Sequence, residues 1–453
     1  MSPSNHHNRR KHHILPPMLT RPSKCRGICD LPVELLDMII SYLESDDWGV
    51  WSCSLACRYL RSVSIEHHFG KRLAAWDKHT FEHLFSFLEA NPRIGAKIRS
   101  LTLSGAKRDV GKGYSLLTTI DDAIVLRLAQ LLPHLESMEL RTFIYGQPQH
   151  SVPPLTALPQ GDTPGPFHLR WLSFGDGYNY CLPHRSSISG LFRILSLFTI
   201  DRLHGDCRGC HFDLGAPLDQ HYLYRHLKVK DLCLWSYGSA NSKHALMLLN
   251  SFTEAMEPGC LGRVEIRCRA VSEVSAIRKL LVRTGESLTG LQVCTPVPAC
   301  LPKGWKDPMI RHWQDLNLAS CPKLERIWIN IYLPDKIDEN QPTDVQALSL
   351  PGAGMLSQVS RALRDIYIYV YDLPCVATLN NRRLLGLQEF EKVITADRFP
   401  LLRKVYLRIR PDEDLQQKPD YKWRQVVVGT RNALPKYPFA GNASGSAILR
   451  CRK

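Results

Sequence analysis

The 453-residue chain reads as α + α/β, a small three-helix unit near the N-terminus followed by an irregular α/β solenoid. Three observations predict this. Apolar residues at helical spacing crowd the stretch 29–68. Ten short strand-like segments recur between residues 98 and 410. Helix-patterned segments separate several of them, and a strand–helix unit at a loose period is how a solenoid is written in sequence.

The totals set the bounds. A chain of this length exceeds one ordinary domain and suits two or three, or one extended array. Its 44% hydrophobic and 22% charged residues are those of a folded, soluble protein. No run of about eighteen uncharged apolar residues occurs, which predicts no membrane span. The longest candidate, ISGLFRILSLFTI from Ile188 to Ile200, is short and contains Arg193. Residues 1–28 are rich in His, Arg, Pro and Ser and read as a disordered basic tail with no signal-peptide core, so secretion is not expected. Its pairs His6-His7 and His12-His13 have no cysteine spaced to complete a metal site. The fifteen cysteines are scattered and read as reduced core residues, which leaves the sequon at Asn442 without meaning. The net charge of +15 is diffuse beyond the tail. It can speed the approach of an acidic partner but names none.

In the helical stretch, Asp30 can cap a first helix, Pro32 fits its first turn, and Glu34 suits the positive dipole end. Leu35, Leu36, Ile39, Ile40 and Leu43 then form a broad apolar stripe. A break at ESDD offers Ser45 or Asp46 as new caps. Trp48, Trp51, Leu55 and Tyr59 follow at helical spacing, then Leu60 and Val63. Residues 69–97 read as a mostly helical linker.

From Ile98 the texture changes. Strand-like pieces start at Ile98, Leu135, Leu169, Leu197, Val229, Leu261, Leu288, Lys323, Leu363 and Leu401, at separations of 27 to 40 residues. Helix-like segments between them include IDDAIVLRLAQLLP, HALMLLNSFTEAME, EVSAIRKLLVRTGE and LLGLQEFEKVITADRFP. The clearest unit is WQDLNLASCPKL, where Leu316, Leu318, Cys321 and Leu324 have the L-x-L-x-x-C-x-x-L spacing of a cysteine-containing leucine-rich repeat. Its apolar side chains are expected to point inward from a strand, with Cys321 in the turn behind. The alternative for each piece is a strand of an ordinary α/β sheet. Residues 98–410 read as a leucine-rich-repeat-like domain. Gly146 to Pro166 is a long rim loop, and 411–453 a cap or tail.

Residues 29–68 resemble an F-box. LPVELLDMIISYL matches the opening L-P-x-E-[LI]-[LI]-x-x-I-[LIF]-x-[YF]-L, and SLACRYLRSV resembles the later V-C-[RK]-x-[WF] segment. There Ala56 stands for Val, and Leu60 stands where tryptophan is usual. An F-box followed by degenerate leucine-rich repeats also resembles a large fungal set. The resemblance implies a non-catalytic receptor of an SCF-type cullin–RING ubiquitin ligase, cytoplasmic or nuclear. Its F-box would dock on a SKP-family adaptor, and through it a cullin, while the array holds an unknown protein substrate. The adaptor-facing positions it implies are Leu31, Pro32, Leu35, Leu36, Ile39 and Leu43. Elementary physics agrees, since about forty residues cannot bury this much apolar surface alone. The alternative is that these residues pack only against the following repeats.

Motifs for catalysis or cofactors are missing: no G-x-S-x-G, G-x-x-x-x-G-K-[ST], H-E-x-x-H or G-x-G-x-x-G occurs. CRGCH, from Cys207 to His211, matches a haem-attachment pentapeptide in isolation, and His204 and His221 lack zinc-site spacing; a tight turn at Gly209 is the simpler reading. Trp235, Tyr237, Trp328, Tyr367, Tyr369 and Tyr371 are candidate surface aromatics, though their alternation also fits half-buried core. A rival reading is a basic scaffold for nucleic acid, which the unclustered basic residues argue against. A third keeps the F-box without a ligase.

Overall fold

The structure, a computed structural model, describes residues 27–43, 47–69, 72–76, 81–105, 108–109, 113–114, 118–146, 166–175, 186–206, 211–235, 242–267, 271–294, 313, 315–332, 352–373, 387–411, 439–441 and 446–450. The expectations for the tail before residue 27, for Ser45 and Asp46, for most of the Gly146–Pro166 loop, for Cys207–Cys210, for Tyr237 and for Asn442 lie outside these. The chain divides into two compact units, Met1–Gly70 and Lys71–Lys453.

The first unit holds three helices, α1 (Val33–Tyr42), α2 (Asp47–Ala56) and α3 (Arg58–Phe69). Asp30 does not cap α1. Its carboxylate accepts the Gly27 N–H at 2.7 Å and closes a single 3-10 turn, Ile28–Asp30, while Pro32 occupies the N-cap. The Pro32 carbonyl accepts from Leu35 and Leu36, so the turn sets the start of α1. Cys57 caps α3, its sulfur accepting the Leu60 N–H at 3.4 Å.

The second unit is built on one open 13-stranded sheet. It opens with β1 (Arg72–Trp76), α4 (Glu82–Ala90), α5 (Pro92–Lys97) and β2 (Ser100–Ser104). Two short side pairs follow, β3 (Arg108–Asp109) with β4 (Gly113–Tyr114), and β5 (Thr119–Ile120) with β7 (Ile144–Tyr145). Between the last two lie α6 (Asp122–Leu131) and β6 (Ser137–Arg141). The series continues as β8 (Phe167–Gly175), α7 (Ile188–Leu195), β9 (Phe198–Asp206), β10 (Lys228–Trp235), α8 (Ser242–Ala255) and β11 (Arg263–Arg267). Then come α9 (Val271–Thr284), β12 (Gly290–Cys294), β13 (Arg326–Tyr332), β14 (Asp365–Leu373), α10 (Leu387–Val393) and β15 (Lys404–Pro411). Strand neighbours follow chain order from β1 to β15, every pair parallel. Finally β16 (Phe439–Gly441) and β17 (Ser446–Arg450) close the far edge antiparallel.

All ten strand-like segments are strands of this sheet. Two expectations need correction. The stretch 69–97 is not only helical, because Arg72–Trp76 pairs with Ser100–Ser104 as the first edge strand. The repeat-like unit at Leu316 is in a different register. Leu316, Leu318, Cys321 and Leu324 are fully buried, but they precede β13, around a 3-10 turn at Leu318–Ser320. Asn317 takes φ 55° there, a left-handed value that a strand does not allow.

Register explains the core. One lateral row, Leu73, Leu101, Met138, Leu172, Leu203, Leu232, Val264, Leu291, Ile327, Ile366 and Val405, crosses eleven strands with one apolar residue from each. None exceeds 7% exposure. Successive strand residues point to opposite faces, so this row commits one face of each of these eleven strands to the interior. Helices pack on one another in chain order, α4 and α5 on α6, α6 on α7, α7 on α8, α8 on α9.

The run Ile188–Ile200 is a buried helix, α7, continuing into β9. Its eight helical residues are all buried, and Gly190 lies so close to the Gly146 carbonyl that any Cβ there would collide with it. Arg193 is tolerated because its Nε donates to Asp122 of α6 at 2.7 Å and its guanidinium to the Tyr224 hydroxyl at 3.1 Å. Tyr224 also donates to Asp122. Burial, reinforced by Asp122, pushes the Tyr224 hydroxyl up to about 12. Removing Arg193 strands a buried carboxylate, so Arg193→Ala is expected to cost about 3–5 kcal/mol of stability. Urea unfolding of the full chain reads this directly.

Candidate functional site

The core of the first unit is small: Leu36, Ile40, Val50, Leu60 and Val63, with Leu31, Leu43 and Cys57 partly buried against it. Helix α1 carries two apolar stripes. Leu36, Ile40 and Leu43, at i, i+4 and i+7, turn inward. Leu35, Met38, Ile39 and Tyr42 form the second stripe and are 42%, 50%, 38% and 79% exposed. On α2 and α3, Trp51, Leu55 and Tyr59 continue at a spacing of four and are also exposed, as are Ile28 and Val33. Nine of the twelve large apolar side chains exposed among the described residues thus belong to this unit. A soluble surface rarely concentrates apolar groups in this way unless a partner covers them.

The six expected contact positions separate into three kinds. Pro32, Leu35 and Ile39 are exposed, and Leu31 and Leu43 sit half-buried at the margin of the core. Leu36 is fully buried inside it and offers no surface. Leu60, which stands where an aromatic is usual, is also core, 7% exposed. Sequence reasoning did not single out Val33, Met38 and Tyr42, whose signal was the second stripe one residue ahead of the first. A hydrogen bond joins His67 Nε2 of α3 to Asp37 Oδ1 of α1 at 2.7 Å.

The second unit offers a different surface. Beside the buried row of its sheet runs a second one on the opposite face: Thr102, Glu139, Ser173, His204, Cys233, Glu265, Gln292, Trp328, Tyr367 and Tyr406. Its side chains are polar or aromatic and bond from strand to strand. Thr102 donates to Glu139 at 3.3 Å, Ser173 and His204 share a bond at 3.2 Å, and Gln292 and Trp235 both donate to Glu265 at 3.2 Å. Burial lowers the pKa of His204, against the pull of Asp206 and Glu265. Cys233 and Cys294 are free and buried, and burial raises both thiols, Cys294 to about 11, so neither is a reactive thiolate. Among the described residues no three His, Cys, Asp or Glu side chains converge on a point that could hold a metal, and no helix is long and apolar enough to cross a membrane.

Core and surface residues of α1 respond differently to truncation. Leu36→Ala removes a fully buried side chain at an expected cost of about 2–5 kcal/mol. That is comparable to all a core this small supplies, about 3–5 kcal/mol. Limited proteolysis should then cut between residues 31 and 69, whereas Leu35→Ala and Ile39→Ala should leave the digestion pattern unchanged.

No curated protein sequence matches the chain. Residues 28–72 match the family model of the F-box domain, a non-catalytic interaction module. With its three short helices, its minimal core and its exposed apolar stripe, the N-terminal unit of this chain is an F-box domain.

Proposed function

We propose that the protein is a substrate-recognition subunit of an SCF-type cullin–RING ubiquitin ligase. The observation that carries this reading is the crowding of exposed apolar side chains on the F-box. In the proposal Leu31, Pro32, Leu35, Ile39 and Leu43 meet a SKP-family adaptor, with Leu36 holding α1 in place from beneath. A helix face with anchors at i, i+3 or i+4 and i+7 suits docking into an apolar groove. Burying each exposed Leu or Ile fully contributes roughly 1.5–3 kcal/mol, so a few suffice for a lasting complex.

The second unit then holds the substrate. Its strands follow chain order in parallel, one apolar row faces inward, and the units recur at loose spacing. We read this as a degenerate leucine-rich-repeat-like array over 98–410, preceded by the F-box and a short linker. Such arrays bind on the open strand face and its rim. The protein does no bond chemistry on this reading. It holds substrate lysines near a ubiquitin carrier brought by the cullin, in the cytoplasm or nucleus, and so raises their effective concentration.

The test is co-purification. Full-length protein is expected to retain the adaptor and, through it, a cullin. Leu35→Asp with Ile39→Asp, both at exposed positions, should cut adaptor retention by roughly tenfold or more, as loss of buried anchors does. Wild-type protein that retains no adaptor defeats the proposal, and adaptor without cullin limits it to a structural F-box complex. Retention on nucleic acid that falls steeply with salt favours a nucleic-acid scaffold instead.

A further inference from the structure

One part of the open sheet face has a chemistry that F-box docking does not use. Trp328 and Tyr367 stack across β13 and β14 with ring centres 5.1 Å apart and planes 11° apart, and Tyr332 and Tyr371 repeat this at 4.8 Å and 13°. Tyr367 and Tyr369 each meet Tyr406 of β15 at 5.9 Å. Neighbouring strands lie about 4.8 Å apart, so rings stacked between them stand upright on the sheet. Their faces touch one another, and their edges and hydroxyls point outward.

Cations extend the stack. The Arg263 guanidinium lies 4.6 Å from the Trp328 ring centre, and Lys404 Nζ lies 5.3 Å from Tyr367 and 5.2 Å from Tyr406. Gly290 of β12, between them, leaves the room. A Cβ there would stand 3.2 Å from the Trp328 ring and 3.4 Å from the Arg263 side chain.

Charge on this patch is unbalanced. Arg263, Arg267, Arg326, Lys404 and Arg408 share the face with Asp231, Glu265 and Asp365. Glu265 is engaged by Gln292 and Trp235. Among the described residues, Arg326, Lys404 and Arg408 have no carboxylate within ion-pair distance. Single-stranded nucleic acid binds by laying bases on aromatic faces, but here the faces are already covered by rings and cations. What remains outward is a set of cationic heads and hydroxyl donors, which suits carboxylates. Burial raises the hydroxyls of Tyr367 and Tyr369 above the ordinary phenol value, so both stay protonated donors.

We propose that the outward face of β13–β15 binds an acidic peptide segment, its carboxylates received by Arg326, Lys404 and Arg408 and by the hydroxyls of Tyr369 and Tyr406. This deepens the receptor reading, and rests on it only in taking the segment to be part of a substrate. The ring edges give the segment's apolar side chains a surface rich in the residue types that dominate protein contacts, Trp, Tyr and Arg.

The test is fluorescence anisotropy of full-length protein with a labelled glutamate–leucine peptide, its lysine–leucine counterpart and a short thymidine strand. The acidic peptide should bind saturably, and Arg326→Glu with Lys404→Glu should weaken it roughly tenfold or more. Arg93→Glu with Arg278→Glu, the same charge change at exposed positions elsewhere, should leave it within about twofold. Tyr369→Phe with Tyr406→Phe removes only hydroxyls and should weaken binding about threefold or more, which keeps the test open if the charge reversal fails to fold. Leu35→Asp with Ile39→Asp should leave peptide binding intact while adaptor retention is lost, so the two readings can fail separately. No binding of the acidic peptide, equal binding of the lysine peptide, or equal damage from the control pair overturns the proposal. Tighter binding of the thymidine strand through the same residues does so too.

Discussion

One apolar residue from each strand, in register from Leu73 to Val405, is the constraint on which the large unit depends. A parallel sheet normally buries both faces. Here the interior row satisfies one face only, and period-two alternation then hands the opposite face to Glu139, His204, Gln292, Trp328 and their neighbours. That second face cannot be polar by accident in one strand and apolar in the next, because a slip of one residue would exchange the two rows. The same register that builds the core therefore lays out the open surface.

The two units leave unfinished surfaces of different kinds. The F-box exposes aliphatic and aromatic side chains beside a five-residue core, so covering them adds stability the unit lacks by itself. The second sheet face presents mostly half-buried, hydrogen-bonded polar groups, stacked rings and cations, whose polar atoms are at ease in water. Apolar surfaces suit lasting partners, and polar, charged ones suit partners that come and go. The receptor role proposed for this chain, one lasting partner and exchangeable others, would use that division.

Much of this was legible in the sequence, for physical reasons that also mark the gaps. Ten of the thirteen sheet strands announced themselves because each carries alternating apolar residues. Arg72–Trp76 did not, since RLAAW has no strand signature and is held by its pairing to Ser100–Ser104. The Leu316–Leu324 spacing was right about burial and wrong about the strand, because the left-handed Asn317 turns the chain where strand was expected. In α1 the apolar content was plain, but Leu35 and Leu36 are adjacent in sequence and point to different sides. Only packing against Val50, Leu60 and Val63 decides that Leu36 is core. The stacked face was legible as alternation in DIYIYVYD, yet its cations come from three other strands, and register alone brings them together.

The function proposed for the F-box turns on its exposed stripe being completed by a partner's apolar groove. Its most direct test is isothermal titration of a SKP-family adaptor into the full-length protein at several temperatures. Burial of apolar surface gives a negative heat-capacity change. Saturable binding is expected, with a clearly negative value that shrinks for Leu35→Ala with Ile39→Ala. Absence of binding, or binding with a heat-capacity change near zero that ignores these two residues, would contradict it.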